Sequence, residues 1–148
     1  MSSATDDFSF HNPRVLVIKL SSLGDLFHAL PAVHCLKVGL NATIDWLTQT
    51  QYVELARCFT DVDRVIPFYR KAFWGNIGSF LRELRKVEYD LIIDFQGIGK
   101  SAISGYFAHG KNRIGPSFHQ EGSILLYSDV AGRKNKNRHA VDENLDVV

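Results

Sequence analysis

The chain alternates between short apolar runs and longer segments in which apolar residues recur at helical spacing. Four β-branched apolar runs have the composition of strands buried on both faces of a sheet: 14–20, 42–48, 62–69 and 89–95. Segments with apolar residues at helical spacing follow these runs and predict four helices: 25–38, 52–59, 74–87 and 100–110. A short fifth strand at 112–115, a helix around 122–130 and a helical stretch over 137–148 complete the prediction.

Strict alternation of strand and helix predicts an α/β fold, a doubly wound parallel Rossmann-like sheet with helices on both faces. The carboxyl ends of parallel strands share one edge of such a sheet, and ligands bind outside that edge. Pro67 favours an edge position or a strand end for the third strand, because proline donates no backbone hydrogen bond. Residues 1–13 are polar and predict a disordered tail, so residues 14–148 form the domain.

The charge, the cysteine and histidine content and the hydropathy of the chain argue against several classes of function. The 148 residues carry a net charge of +1, which gives no overall electrostatic preference for nucleic acid. Cys35 and Cys58 are too few and too far apart for a metal cluster or a disulfide framework, and we expect both to be reduced in apolar surroundings. The histidines lack metal-ligand spacing, so we predict no metal site. Without a membrane-spanning run, a cytoplasmic protein that can still touch a membrane face is expected.

The turn "SSLGD" joins the first strand to the first helix. It offers the hydroxyls of Ser21 and Ser22, a tight turn or close ligand approach at Gly24, and the carboxylate of Asp25. A dinucleotide site is disfavoured because the turn lacks the glycine fingerprint and carries a negative charge. Two interpretations of Asp25 stand at this point. Its negative charge complements the helix dipole and stabilises the helix by about 0.3–1 kcal/mol, or it accepts a proton from a hydroxyl nucleophile.

Further polar groups follow the third and fourth strands. In "DFQGIGK", Asp94 and Gln96 either cap local backbone groups or face a ligand, and Lys100 opens the next helix. Arg70 and Lys71 follow the third strand. Charged runs of this kind are usually solvated loops, but these residues fall at the same predicted edge as Asp25.

In that order and spacing, "RVLVIKLSSLGDLFHALPAV", "VDRVIPFYRKAFW", "YDLIIDFQGIGKSA", "FAHG" and "RHAVDENLDVV" resemble the lipopolysaccharide heptosyltransferases of glycosyltransferase family nine. The resemblance is closest to the branch that attaches the first heptose to Kdo sugars of lipid A. Members have two Rossmann-like domains in the GT-B arrangement. The resemblance implies that residues 14–148 are the acceptor-binding N-terminal domain, ending at the linker to a donor domain that these residues do not include.

The resemblance also implies roles for individual residues. Asp25 matches the catalytic base, which deprotonates a Kdo hydroxyl during inverting transfer from ADP-heptose. Ser21, Ser22, Gly24 and Gln96 are expected to line the acceptor pocket, whereas Arg70, Lys71 and Lys100 match basic positions that hold its carboxylates and phosphates. No cofactor is implied, because the donor ADP-heptose binds mainly to the other domain. The resemblance places the protein at the cytosolic face of the inner membrane, as a peripheral enzyme that is inactive as an isolated domain.

Two other classes remain as alternatives. A receiver-like signalling module expects an acidic pair after the first strand and a phosphorylatable aspartate after the third, where this chain has "SSLGD" and "IPFYRK". A dehydrogenase fragment expects the glycine fingerprint of a dinucleotide site. Phosphorylation by a small phosphodonor would support the first alternative, and tight binding of NAD the second.

Overall fold

The computed structural model describes residues 12–116, 129–131 and 144–145. Its strands are β1 Arg14–Ile18, β2 Thr43–Gln49, β3 Arg64–Phe68, β4 Tyr89–Asp94, β5 Gly110–Pro116 and β6 Asp129–Ala131. Its helices are α1 Leu23–Leu40, α2 Val53–Arg57, α3 Phe73–Leu84 and α4 Gly99–Phe107, with a short 3₁₀ helix at Thr50–Tyr52.

The six strands form one parallel sheet in the order β3-β2-β1-β4-β5-β6. Val17 of β1 lies beside Trp46 of β2 on one side and Ile93 of β4 on the other. The chain winds outward from β1 through β2 to β3, then returns to begin the other half at β4. This reversal opens a crevice at the carboxyl ends of β1 and β4, where doubly wound sheets bind ligands. The predicted fold class is confirmed.

The two faces of the sheet are covered by different helices. Val15 and Val17 of β1 contribute to a core with Leu26 and Val33 of α1. The intervening residues of β1 point to the opposite face, because side chains alternate along a strand. There Leu16 and Ile18 join a second core that includes Phe80 and Leu84 of α3. Burial on both faces explains why β1 has a continuous apolar sequence rather than an alternating one.

Several boundaries differ from the predicted ones. Helix α1 begins two residues earlier and ends two residues later than expected, and it continues through Pro31. Pro13, assigned to the tail, is buried, and its carbonyl accepts a 2.8 Å hydrogen bond from the Thr43 amide. The ordered chain therefore begins before Arg14. Residues 1–11 of the predicted tail lie outside the described residues.

Two further expectations require correction. Residues 129–131 form the edge strand β6, although the apolar run ending at Val130 predicted a helix. The rest of that run lies outside the described residues, as does most of the predicted helix over 137–148. Cys35 and Cys58 are free thiols on exposed positions rather than in apolar surroundings. Among the described residues, no helix is long and apolar enough to cross a bilayer.

Candidate active site

Asp25 lies in the first turn of α1, directly after the carboxyl end of β1. Its Oδ2 accepts hydrogen bonds from the Ser22 backbone amide, at 3.0 Å, and from Ser22 Oγ, at 2.8 Å. Its Oδ1 is 4.0 Å from Nδ1 of His28, one turn further along the helix. The Asp25 side chain is 45% exposed. The helix cap therefore engages one carboxylate oxygen and leaves the side chain partly exposed to solvent.

The surroundings of Asp25 keep its carboxylate ionised. Partial burial alone would raise its pKa, but the hydrogen bonds from Ser22, the charge of Lys19 and, when it is protonated, the imidazolium of His28 lower the pKa below its ordinary value. An ionised carboxylate at this position can accept a hydrogen bond or a proton from an incoming hydroxyl.

Gln96 joins the turn after β4 to the turn after β1. Its Oε1 accepts hydrogen bonds from the backbone amides of Leu20, at 3.1 Å, and Ser21, at 3.3 Å. The predicted juxtaposition of "SSLGD" and "DFQGIGK" at one edge is therefore present. The carbonyl oxygen of the Gln96 side chain is already bonded to the turn after β1. The side-chain amide nitrogen is therefore the atom with which Gln96 would contact an acceptor.

Asp94 organises the turn that carries Gln96. It is buried, and its Oδ1 accepts hydrogen bonds from the amides of Gln96, at 2.8 Å, and Gly97, at 3.1 Å. Its Oδ2 accepts a 2.7 Å hydrogen bond from Ser101 Oγ at the start of α4. Gly97 has φ 70°, a conformation that glycine adopts without strain. The local-capping interpretation of Asp94 is thus confirmed.

Lys19 is a candidate site residue that the sequence motifs did not indicate. It follows β1, is only 8% exposed, and its Nζ donates a 3.1 Å hydrogen bond to the Phe95 carbonyl at the end of β4. Its ammonium also contributes to the lowered pKa of Asp25. The available signal was a lysine inside a run otherwise buried on both faces, because a buried charge requires a specific partner.

Gly24 does not have the predicted turn geometry. It lies inside the first turn of α1, it has no positive φ, and a Cβ added there would meet no atom within 4 Å. Nothing among the described residues therefore requires glycine, and close approach of a ligand stays a prediction. Of the neighbouring serines, Ser21 is half-buried and Ser22 exposed.

A groove between α3 and α4, called here the α3–α4 groove, brings Arg70 and Lys100 together. It has a volume of about 540 Å³ and is lined mainly by apolar side chains: Phe68, Tyr69, Arg70, Phe73, Trp74, Ile77, Phe80, Leu81, Lys100, Ile103, Ser104 and Phe107. Lys71 is exposed and does not line it. Two of the three predicted basic residues thus share one surface.

No metal centre emerges from the described part of the chain, where no three His, Cys, Asp or Glu side chains gather in a suitable arrangement. The chemistry available at the carboxyl edge is that of the partly exposed Asp25 carboxylate, hydroxyl and amide groups, and the cations Arg70 and Lys100.

Comparisons with known proteins identify relatives of this chain. The profile described as glycosyltransferase family 9 (heptosyltransferase) matches residues 77–148. Lipopolysaccharide heptosyltransferase 1 of Pseudomonas aeruginosa is 38% identical over 99 residues, covering 60% of this chain and 28% of the relative. The enzyme of the same name from Salmonella typhimurium is 31% identical over 146 residues, covering 90% of this chain and 46% of the relative.

The structure of the Escherichia coli heptosyltransferase WaaC with ADP-2-deoxy-2-fluoro heptose superposes with a TM-score of 0.80. It is 29% identical, and the match covers 90% of this chain and 46% of that one. This chain thus spans about half the length of the longer-matching relatives. Over the region that these proteins match, the chain belongs to the heptosyltransferase family, glycosyltransferase family 9.

Proposed function

We propose that this chain is the acceptor-binding and base-supplying part of an inverting heptosyltransferase that acts in lipopolysaccharide inner-core synthesis. The reaction moves heptose from ADP-heptose to a Kdo hydroxyl of lipid A. The observation that carries the proposal is the carboxylate of Asp25, which is ionised and 45% exposed at the crevice between β1 and β4. The family relationship supports the choice of heptose as the transferred sugar.

Asp25 acts as the general base. As the acceptor oxygen forms a bond to the anomeric carbon of heptose, the carboxylate takes the hydroxyl proton and the bond from that carbon to the ADP oxygen breaks. ADP leaves as an anion, so the mechanism needs no protein acid at the leaving group. Ser22 holds Oδ2, which leaves Oδ1 to receive the proton. A positioned base contributes about 10²–10⁴ in rate.

The other predicted site residues bind the acceptor. Ser21, Ser22, Gly24 and the Gln96 amide surround the reacting sugar at the carboxyl edge. Arg70 can pair with a carboxylate or phosphate through two parallel hydrogen bonds, whereas Lys71 and Lys100 act as point charges. ADP-heptose binds mainly to a second domain corresponding to the rest of the relatives' length, so we expect no transfer by residues 1–148 alone. The enzyme works at the cytosolic face of the inner membrane.

The test is a chimera in which this chain continues into the remaining part of the Salmonella typhimurium enzyme, assayed for heptose transfer from ADP-heptose to Kdo-lipid A. We expect Asp25→Asn to lower kcat at least about 100-fold with little change in acceptor KM, since it removes the base and little binding surface. A folded chimera without transfer activity, or near-normal kcat in Asp25→Asn, would contradict the proposal.

Asp63→Asn is the matched control. The Asp63 side chain is 43% exposed, it accepts a 2.7 Å hydrogen bond from the Ile44 amide, and its pKa is also lowered. It precedes β3, however, and therefore lies at the opposite, amino edge of the sheet. We expect this variant to keep kcat within about threefold, as a substitution far from the reacting atoms removes no transition-state interaction.

A further inference from the structure

Lys19 is a buried lysine at the carboxyl edge of the sheet, directly after β1. Lysine is rarely buried to this degree unless it has a specific partner. Side chains alternate along a strand, so Lys19 shares with Val15 and Val17 the face that α1 covers. Its ammonium is close enough to the first turn of α1 to act on the Asp25 carboxylate. The helix dipole disfavours a positive charge at this end of a helix, which indicates a role for Lys19 other than folding.

Two side chains connect the turn after β1 with the turn after β4 in opposite directions. From the first turn, Lys19 Nζ donates a 3.1 Å hydrogen bond to the Phe95 carbonyl. From the second turn, Gln96 Oε1 accepts hydrogen bonds from the amides of Leu20, at 3.1 Å, and Ser21, at 3.3 Å. Lys19 and Leu20 are neighbours in sequence, and so are Phe95 and Gln96. These bonds, called here the reciprocal contact, therefore fix the separation of the two turns.

The backbone around Lys19 is bonded to both neighbouring strands. Its amide donates a 3.1 Å hydrogen bond to the Leu47 carbonyl, and its carbonyl accepts a 3.2 Å hydrogen bond from Trp46 Nε1. On the other side, the Phe95 amide donates a 2.9 Å hydrogen bond to the Ile18 carbonyl. Because the strands on both sides hold this segment and the side chain is buried, the ammonium has a fixed position.

The charged groups around Asp25 differ in how strongly solvent screens them. Burial raises the pKa of Asp25, whereas the hydrogen bonds from Ser22 and the charges of Lys19 and His28 lower it. His28 contributes only when it is protonated, and its side chain is 39% exposed, so solvent weakens its effect. Asp94 lies on the opposite face of β4, because side chains alternate along the strand. Lys19 is therefore the buried cation that acts on Asp25 from the sheet.

We propose that Lys19 is a positioning residue for the transfer reaction. Its ammonium completes the reciprocal contact, which sets the Asp25 carboxylate and the Gln96 amide at a constant separation, and it presents a fixed positive charge to the base. A reaction that needs a base and a sugar hydroxyl in one geometry depends on such supporting contacts. The inference rests on the proposed function, because it gives Lys19 a part in proton acceptance by Asp25. Lys19 acts through these two residues rather than by contact with the acceptor.

The first test titrates the aspartates of the 148-residue chain by carboxyl ¹³C NMR. Lys19→Met keeps an unbranched apolar side chain and removes the charge, so we expect the pKa of Asp25 to rise. Lys19→Arg keeps the charge and should leave the pKa of Asp25 low. Lys37→Met is the matched control, since Lys37 contacts Asp63 at 2.7 Å and lowers its pKa. It should raise the pKa of Asp63 and leave that of Asp25 unchanged.

The second test measures heptose transfer by the chimera described above. Lys19→Met should lower kcat about 10–100-fold with little change in acceptor KM, because the base is displaced while the binding surface stays. Lys19→Arg should restore most of this loss, and Lys37→Met should keep kcat within about threefold. In the Asp25→Asn background, Lys19→Met should have little further effect, since a residue that acts through Asp25 then has no base to position. A purely structural role predicts the same loss in both backgrounds.

Three results would overturn the inference: an unchanged pKa of Asp25 in Lys19→Met, near-normal kcat in that variant, or equal losses of kcat with and without Asp25. Lys19→Gln, which keeps a hydrogen-bond donor without the charge, provides the same measurements if Lys19→Met does not fold. The titration needs neither ADP-heptose nor turnover, so it tests the coupling of Lys19 to Asp25 even if the proposed reaction is wrong. A chimera whose kcat depends on Asp25 but not on Lys19 would contradict this inference alone.

Discussion

Asp25 and Asp63 show how position, rather than local chemistry, separates a candidate catalytic group from a structural one. Both side chains are a little under half exposed, and both accept a backbone hydrogen bond. Asp25, however, lies at the carboxyl edge beside the reversal in strand order, whereas Asp63 lies at the amino edge and pairs with Lys37 at 2.7 Å. Only the first position lies at the edge of the sheet where this fold binds ligands.

Acid stability tests the ionised state of these carboxylates. Burial would raise the pKa of Asp63, but the hydrogen bonds from Lys37 and Ile44 and nearby positive charge lower it. A lowered folded-state pKa means that the stabilisation is complete above the unfolded-state pKa of about 3.9 and is lost as the pH falls through the folded-state value. We therefore expect Asp63→Asn to reduce the free energy of unfolding at pH 7 by up to about 1 kcal/mol, given its exposure.

The same variant should differ less and less from the parent chain as the pH falls below about 3.9, because the Asp63 carboxylate of the parent chain takes up a proton. Urea unfolding across this pH range measures the difference. A constant difference from pH 7 to pH 2 would show that the ionised carboxylate contributes nothing. Asp25→Asn is expected to follow the same direction, since its pKa is lowered by Ser22, Lys19 and His28 against the effect of burial.

At the scale of elements, the pairing of β4 with β5 depends on a close backbone approach at Gly110. A Cβ at this position would lie 2.8 Å from the Tyr89 carbonyl oxygen and 2.9 Å from Ile92 Cδ1. The strand cannot move away freely, because the preceding carbonyl of His109 accepts a 2.7 Å hydrogen bond from the Tyr89 amide. Gly110 is therefore a steric requirement of the sheet.

We expect Gly110→Ala to lower the free energy of unfolding by about 1–3 kcal/mol, the usual cost of overpacking. Gly78→Ala in α3 is the contrasting change, because Gly78 is exposed and a Cβ there would meet no atom within 4 Å. That substitution should raise the free energy of unfolding by about 0.5–1 kcal/mol through helix propensity. Chemical denaturation of the two variants measures these changes. Equal effects on the free energy of unfolding would contradict the steric requirement for glycine at position 110.

At the scale of the whole molecule, a buried polar cluster ties the first four strands together near their amino ends. Asp45 of β2 is fully buried and contacts Arg14 of β1 at 3.2 Å and Arg64 of β3 at 3.1 Å. The Tyr89 hydroxyl of β4 donates a 2.6 Å hydrogen bond to the same carboxylate. Burial and this hydrogen bond raise the pKa of Tyr89, so the phenol remains a donor.

Removing Asp45 should affect the entire sheet. We expect Asp45→Ala to destabilise the chain by about 3–5 kcal/mol, because it leaves two arginines without their buried counter-charge. Tyr89→Phe should cost about 1–3 kcal/mol, because it removes the hydrogen bond that the hydroxyl donates to Asp45 and the one that it accepts from Arg64. Asp61→Ala is the control, since its partner His34 is largely exposed and surface pairs contribute about 0–1 kcal/mol. A loss below 1 kcal/mol in Asp45→Ala would contradict the assigned role.

Local sequence determined which segments become strands and helices wherever one residue pattern was sufficient. The apolar run at 14–20 predicted β1 within two residues at each end, and the helical pattern at 25–38 did the same for α1. The polar turns after β1 and β4 predicted that both lie at one edge of the sheet, where Gln96 now connects them by hydrogen bonds. These features depend on residues close together in the chain, where strand and helix periodicities operate.

Tertiary structure alone decided how each segment is buried and what it faces. Residues 129–131 became a strand because the edge of β5 was open to them, and Pro13 is buried because it meets the start of β2. Lys19 became part of the site through a carbonyl 76 residues away in sequence. The α3–α4 groove arises from two helices separated by a strand. Contacts of this kind join residues distant in the sequence, so no local pattern records them.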